Sequence, residues 1–129
     1  MKKSSSAVAV LMAFTSALSV QAGEYHTDKG GDRFKVVQCK LIVDAKVYIN
    51  GLCQFLPQGS GSFIIREFAF ADHDVGHFAI VNVSEDRRTA DGFWNKDPEW
   101  AHAETELGTL SRAPDGCWVN ERATICAKG

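Results

Sequence analysis

Cys117-Trp118-Val119-Asn120-Glu121-Arg122-Ala123-Thr124-Ile125-Cys126 reads as a β-hairpin closed at its base by its own two cysteines. With Glu121 and Arg122 as the loop, 120 faces 123, 119 faces 124 and 117 faces 126. Counting outward from a hydrogen-bonded 120/123 pair, 117/126 falls on a non-hydrogen-bonded pair, where side chains approach most closely. A cross-strand disulfide needs that closeness, so the spacing predicts a Cys117–Cys126 bond.

The other two cysteines, Cys39 and Cys53, then bond by elimination, and two readings collide there. From Phe34 the chain alternates with period two: Val37, Cys39, Leu41 and Val43 share one face, Gln38 and Lys40 the other. Lys46 to Ile49 and Leu52 to Leu56 continue as strands. Asn50-Gly51 between apolar stretches is a tight-hairpin signal. Turns at both Asp44-Ala45 and Asn50-Gly51 would place the strands of Cys39 and Cys53 on either side of a middle strand. Two strand spacings come to about 9.6 Å, beyond disulfide reach. The disulfide is the firmer constraint, so the chain after Asn50-Gly51 is expected to fold over the first hairpin. The opposing reading of the cysteines is a metal site or a catalytic thiol. The chain has no C-x-x-C, and the spacings fit no zinc pattern.

Further along, Pro57-Gln58-Gly59-Ser60-Gly61-Ser62 has the composition of a flexible loop. Phe63 to Phe70 and His77 to Val83 read as strands around the polar turn Asp72-His73-Asp74. Asp97-Pro98-Glu99 has the form of a helix start, with a capping aspartate and proline at the first helical position. Trp100, Ala103 and Leu107 would share one face, which predicts a short helix over 98–107. Leu110 to Arg112 and the turn Ala113-Pro114-Asp115-Gly116 lead into the terminal hairpin. Many short strands with turn signals between them predict a mainly β fold: a small antiparallel β-sandwich or barrel with one short helix and two disulfides.

At the other end, Lys2 and Lys3 precede an apolar run from Ala7 to Val20, and Val20-Gln21-Ala22 fits a small-x-small cleavage site. The run is shorter than the about 20 apolar residues of a membrane span, and no cysteine near the cleavage point could carry a lipid. Residues 1–22 are expected to be a signal peptide, 23–33 a loose polar arm, and 34–129 one β-rich domain. Removing the leader leaves 107 of the 129 residues and, with both lysines gone, a net charge of −4 against −2 for the whole chain. Export to the periplasm or the medium, where thiols oxidise, agrees with an even cysteine count. A mildly acidic surface without clustered Lys or Arg speaks against nucleic acid and anionic membrane as partners.

Candidate chemistry is sparse. Asp72, His73, Asp74 and His77 place two imidazoles and two carboxylates within six residues, a set that suits zinc or copper. The bland reading is a polar turn followed by a strand. His102 is a third imidazole that nothing in the spacing forces nearby. There is no G-x-S-x-G elbow and no H-E-x-x-H helix, and acids such as Glu99, Glu104 and Glu106 are explained by solvation. No catalytic residue and no cofactor are expected. Trp94 and Trp100 are the candidate binding aromatics, since Trp is enriched at recognition surfaces, although a core position accounts for either. If Phe93-Trp94 lies in a strand, only one of its rings can point inward.

In size, export and cross-linking the chain resembles small periplasmic proteins that inhibit lysozymes or neutralise wall-attacking toxins. No motif of such proteins falls on these residues, so the resemblance carries over no site residue. The expectation is a non-enzymatic module for an envelope or extracellular protein or glycan, of inhibitor or immunity type, without a membrane anchor. The alternative is a periplasmic metal-binding protein using His73 and His77.

Overall fold

The computed structural model describes residues 24–73 and 75–129, with only the backbone of residues 71–73. The expected signal segment, 1–22, lies outside the described residues. Among the described residues, nine strands and one helical turn follow in chain order. They are β1 (Tyr25–Thr27), β2 (Arg33–Val43), β3 (Lys46–Gly59), β4 (Ser62–Arg66), α1 (Phe68–His73), β5 (Phe78–Val83), β6 (Thr89–Trp94), β7 (Thr105–Arg112), β8 (Trp118–Val119) and β9 (Ala123–Lys128).

Each strand from β2 to β9 pairs antiparallel with the next, and β9 returns to β2. The result is a closed eight-stranded up-and-down barrel. Its seam matches Gln38–Val43 of β2 with Ala123–Lys128 of β9, Leu41 facing Ile125. β1 takes the same edge of β2 before the seam begins, facing residues 33–35. Eight strands leave an interior just wide enough to be filled by side chains, and here Leu41, Ile65, Val81, Leu107, Leu110 and Ile125 fill it. The period-two reading of β2 holds: Val37, Cys39, Leu41 and Val43 are buried while Gln38 and Lys40 are exposed.

Both disulfides form as expected, Cys117–Cys126 from its spacing and Cys39–Cys53 by elimination. Trp118 faces Ile125 and Val119 faces Thr124, so Cys117 and Cys126 meet across the hairpin with Cα atoms 4.4 Å apart. Cys39 and Cys53, 5.8 Å apart at Cα, lie inside the barrel. Their collision with Asn50-Gly51 resolves differently from expectation: Asn50-Gly51 is not a turn. The turn is Asp44-Ala45, both residues at positive φ (50° and 68°), with Val43 facing Lys46. β3 runs on through Gly51, which faces Cys39, so the two cysteines sit diagonally on adjacent strands. Gly51 takes φ +143°, a conformation open to glycine that lets a strand bend around a barrel. Among the described residues, the chain after Gly51 continues β3 and does not fold back over the first hairpin. Asp44 is held by the neighbouring loop, its carboxylate accepting from both Nε and Nη2 of Arg122.

Two bulges aim side chains at the core. Leu41 faces Ile49 while Ile42 faces Val47, leaving Tyr48 as the extra residue. Its ring packs edge-on against Trp94 at 4.7 Å. Gly92 faces Gly108 while Phe93 faces Glu106, leaving Leu107 as the extra residue, fully buried. Bulges re-aim side chains in this way.

Four further expectations are corrected. No helix spans 98–107: residues 95–104 form a loop and Thr105–Arg112 is strand β7. The barrel needs that strand between β6 and β8, and the carbonyls of Pro98 and Trp100 are taken by Gly76 N–H and Asn95 Nδ2. The strand expected at 63–70 stops at Arg66. The next residues turn into α1, because Glu67 pairs with His77 and Phe70 packs on Phe78 at 4.6 Å. The loop expected at 57–62 shrinks to Ser60-Gly61, since β3 reaches Gly59 with Pro57 at an irregularity, where a missing N–H is tolerated. The arm expected at 23–33 contains β1. Its Asp28 accepts from the amides of Gly30 and Asp32 and ion-pairs with Arg66 at 2.7 Å, and Arg66 also donates to Gln54.

Two predictions follow from this packing. A Cβ at Gly92 would lie 2.8 Å from Leu110 Cδ1 and 3.3 Å from Leu107 Cβ. Gly92→Ala should therefore cost about 1–3 kcal/mol, the usual penalty of overpacking, read as a lower urea midpoint. Arg66 donates to Asp28, and with the Asp32 amide it holds this carboxyl below its ordinary value of 3.8; Arg122 does the same for Asp44. A carboxyl depressed in the folded state stabilises above its unfolded value and loses that contribution as pH falls through the folded one. The urea midpoint should hold from pH 7 to about 5 and fall below pH 4, and Asp28→Asn should flatten part of that fall.

Candidate functional site

The connections gather at two ends of the barrel. At one end lie the β2–β3 turn, the long β4–β5 connection with α1, the 95–104 loop and the tip of the terminal hairpin. This end holds both candidate tryptophans, His77 and the backbone of Asp72 and His73.

The organiser of this end is Asn95, fully buried at the end of β6. Its Oδ1 accepts from Phe78 N–H at 2.8 Å, and its Nδ2 donates to the carbonyls of Gly76 and Trp100, both at 2.9 Å. Gly76 N–H in turn donates to the Pro98 carbonyl at 2.8 Å. Buried amides with every group paired order the backbone around them, and here they clamp the 95–104 loop to the start of β5. Within the loop, Asp97 Oδ1 accepts from Glu99 N–H and the Asp97 carbonyl accepts from Trp100 N–H. The helix-start signal thus survives as one capped turn.

The two candidate tryptophans part company. Trp94 is 2% exposed and belongs to the core, facing Ala79 across the sheet. Its ring contacts Tyr48 and the His77 ring, so it presents no surface to a partner; Phe93 is the residue of that pair that faces outward, half-buried. Trp100 is 50% exposed. It lines an open groove of about 380 Å³ with Glu99, Ala101, His102 and Glu104. Each lining residue is exposed, yet the backbone beneath is fixed by Asn95 and Asp97. An indole lining one groove with carboxylates and an imidazole can stack on a sugar face or an apolar side chain while the acids accept hydrogen bonds.

His77 is half-buried between Tyr48 (4.9 Å) and Trp94 (5.6 Å). Its Nδ1 lies 3.3 Å from the Asn95 carbonyl and its backbone N–H donates to Glu67 Oε1 at 2.6 Å. It works as packing and as an anchor for α1. Asp74 and the side chains of Asp72 and His73 lie outside the described residues. Among the described residues, no three of His, Cys, Asp and Glu gather as a metal-holding set.

The opposite end is where β3, β5, β7 and β9 finish. A mouth of about 210 Å³ opens there between Phe55, Gly61, Phe63, Arg112, Gly116, Trp118 and Ala127. Sequence reading missed both this mouth and Asn95. A polar residue after an apolar pair carries no mark of a buried hub, and the mouth's residues come from strands that meet only when the barrel closes.

Compared with known proteins, the chain matches no family model and is similar to no curated protein and no solved structure.

Asn95→Ala would strip hydrogen bonds from Phe78 N–H and from the Gly76 and Trp100 carbonyls. With a cost of about 1–3 kcal/mol for each buried group left unpaired, the expected loss is at least about 2 kcal/mol. Hydrogen exchange should also accelerate in residues 76–78 and 98–101 before the rest of the barrel.

Proposed function

We propose that this chain is an exported, non-enzymatic binding module that recognises an envelope or extracellular protein or glycan with the loop end bearing Trp100. The observation that carries the reading is Trp100 itself, a half-exposed indole on a backbone fixed by a buried amide. Binding with such a residue loses little loop entropy on association. Its surroundings agree: Val47, Phe68 and Val75, three of the other exposed large apolar residues, also belong to this end. Exposed apolar side chains gathered beside a polar rim mark recognition surfaces. The two intramolecular disulfides fit an oxidising compartment. Delivery by the leader at 1–22 belongs to the same proposal, as does a role of inhibitor or immunity type.

The test is a titration of the oxidised protein, residues 23–129, with a lysozyme and with soluble cell-wall fragments, followed by indole resonances. One of the two should bind saturably, and Trp100→Ala should weaken it at least tenfold while the melting temperature moves by no more than a few degrees. Binding that survives Trp100→Ala, or no saturable binding to either, would overturn the reading.

A further inference from the structure

The barrel mouth opposite Trp100 combines two features, an aromatic floor and a cationic rim. Its floor is aromatic: Phe63 and Trp118 are buried, and Phe55 stacks on Phe63 with ring centroids 5.2 Å apart. Its rim is cationic. The Arg112 guanidinium stands 5.6 Å from the Trp118 ring centre, and Lys35 Nζ stands 5.6 Å from that of Phe55. Arg87 Nη1 comes within 3.6 Å of where a side chain at Gly61 would begin.

Among the described residues no carboxylate side chain lines the mouth. Asp115, beside Gly116, is turned away: its Oδ1 accepts from Cys117 N–H, and it lines the outer-wall groove with Lys40 and Lys128. Among the described residues neither Arg112 nor Lys35 enters an ion pair. Guanidinium groups left without a protein carboxylate at the edge of an apolar site recognise carboxylates in bidentate fashion, and barrel mouths are a common place for ligands. The volume, about 210 Å³, falls below the roughly 300 Å³ at which drug-sized sites begin, so the ligand is small.

We propose that this mouth binds a small organic monocarboxylate, its carboxylate on Arg112 and its apolar body on Phe55, Phe63 and Trp118. The site is independent of the Trp100 groove, which lies at the other end of the barrel, so either can fail without the other.

Hexanoate is the probe, titrated into the disulfide-bonded protein and followed by amide and indole shifts. Hexan-1-ol and inorganic phosphate are the controls, and Trp100→Ala is the second background. Hexanoate should bind saturably with shifts at Phe55, Phe63, Arg112 and Trp118, in the parent and in Trp100→Ala alike. Arg112→Gln, at an exposed position and checked for an unchanged melting temperature, should weaken it about tenfold or more, and Arg112→Lys by less. Hexan-1-ol should bind at least tenfold more weakly than hexanoate. Three results would each overturn the proposal: no saturable shift at these residues, equal affinity in Arg112→Gln, or the same shifts with phosphate, which would mean an adventitious ion only.

Discussion

Hydrogen bonding between β2 and β9 closes the sheet on itself, and the rest of the structure hangs on that seam. An open sheet leaves two rows of unpaired amides and carbonyls; here the first long strand and the last satisfy each other. Closure also turns one face of every strand into an interior, so alternation along eight short strands becomes a single core. Both disulfides attach to the seam strands. Cys39 ties β2 to β3, and Cys126 ties β9 to the segment entering β8. Each closes a short loop, worth about 2–3 kcal/mol on the chain-entropy view. They lock the two hairpins that must meet, and leave their meeting to hydrogen bonds and to Leu41 against Ile125. At one end of the seam, Arg122 and Asp44 join the two hairpin turns, an exposed pair that orients more than it stabilises.

With the interior full, both proposed sites lie at the ends of the barrel, and they differ chemically. The end with the long connections offers an exposed indole beside two acids and an imidazole, on a backbone anchored by Asn95. The other end has shorter connections, and its buried aromatic floor is edged by Arg112. The two proposed sites lie at opposite ends, with the packed core of the barrel between them.

Much of the architecture was legible because it rests on short-range rules. The period-two pattern at 34–43 placed the inward face of β2, and the ten residues from Cys117 to Cys126 carried their own register, since turn length and pleat together decide which residues oppose. The disulfide partners followed from that hairpin and an even count. Mainly β structure with one short helix was also readable, though not where the helix lies. At the candidate site, Trp100 was legible as an available aromatic, whereas Trp94 was indistinguishable from it until the strand acquired an inside.

The chain alone therefore determined whatever neighbouring residues decide between themselves: strand faces, the terminal hairpin, the cysteine pairing and the paucity of catalytic motifs. Only the tertiary structure decided which of two good turn signals became the turn, because Asp44 is held by Arg122 from a turn 78 residues away while Gly51 is needed inside β3. It likewise converted a well-formed helix start at Asp97 into a loop, since closing the barrel claimed residues 105–112 for β7. Local preferences of these kinds amount to about 1 kcal/mol. Closure acts on the whole chain at once, pairing backbone groups along every strand and burying one face of each, and outweighs them.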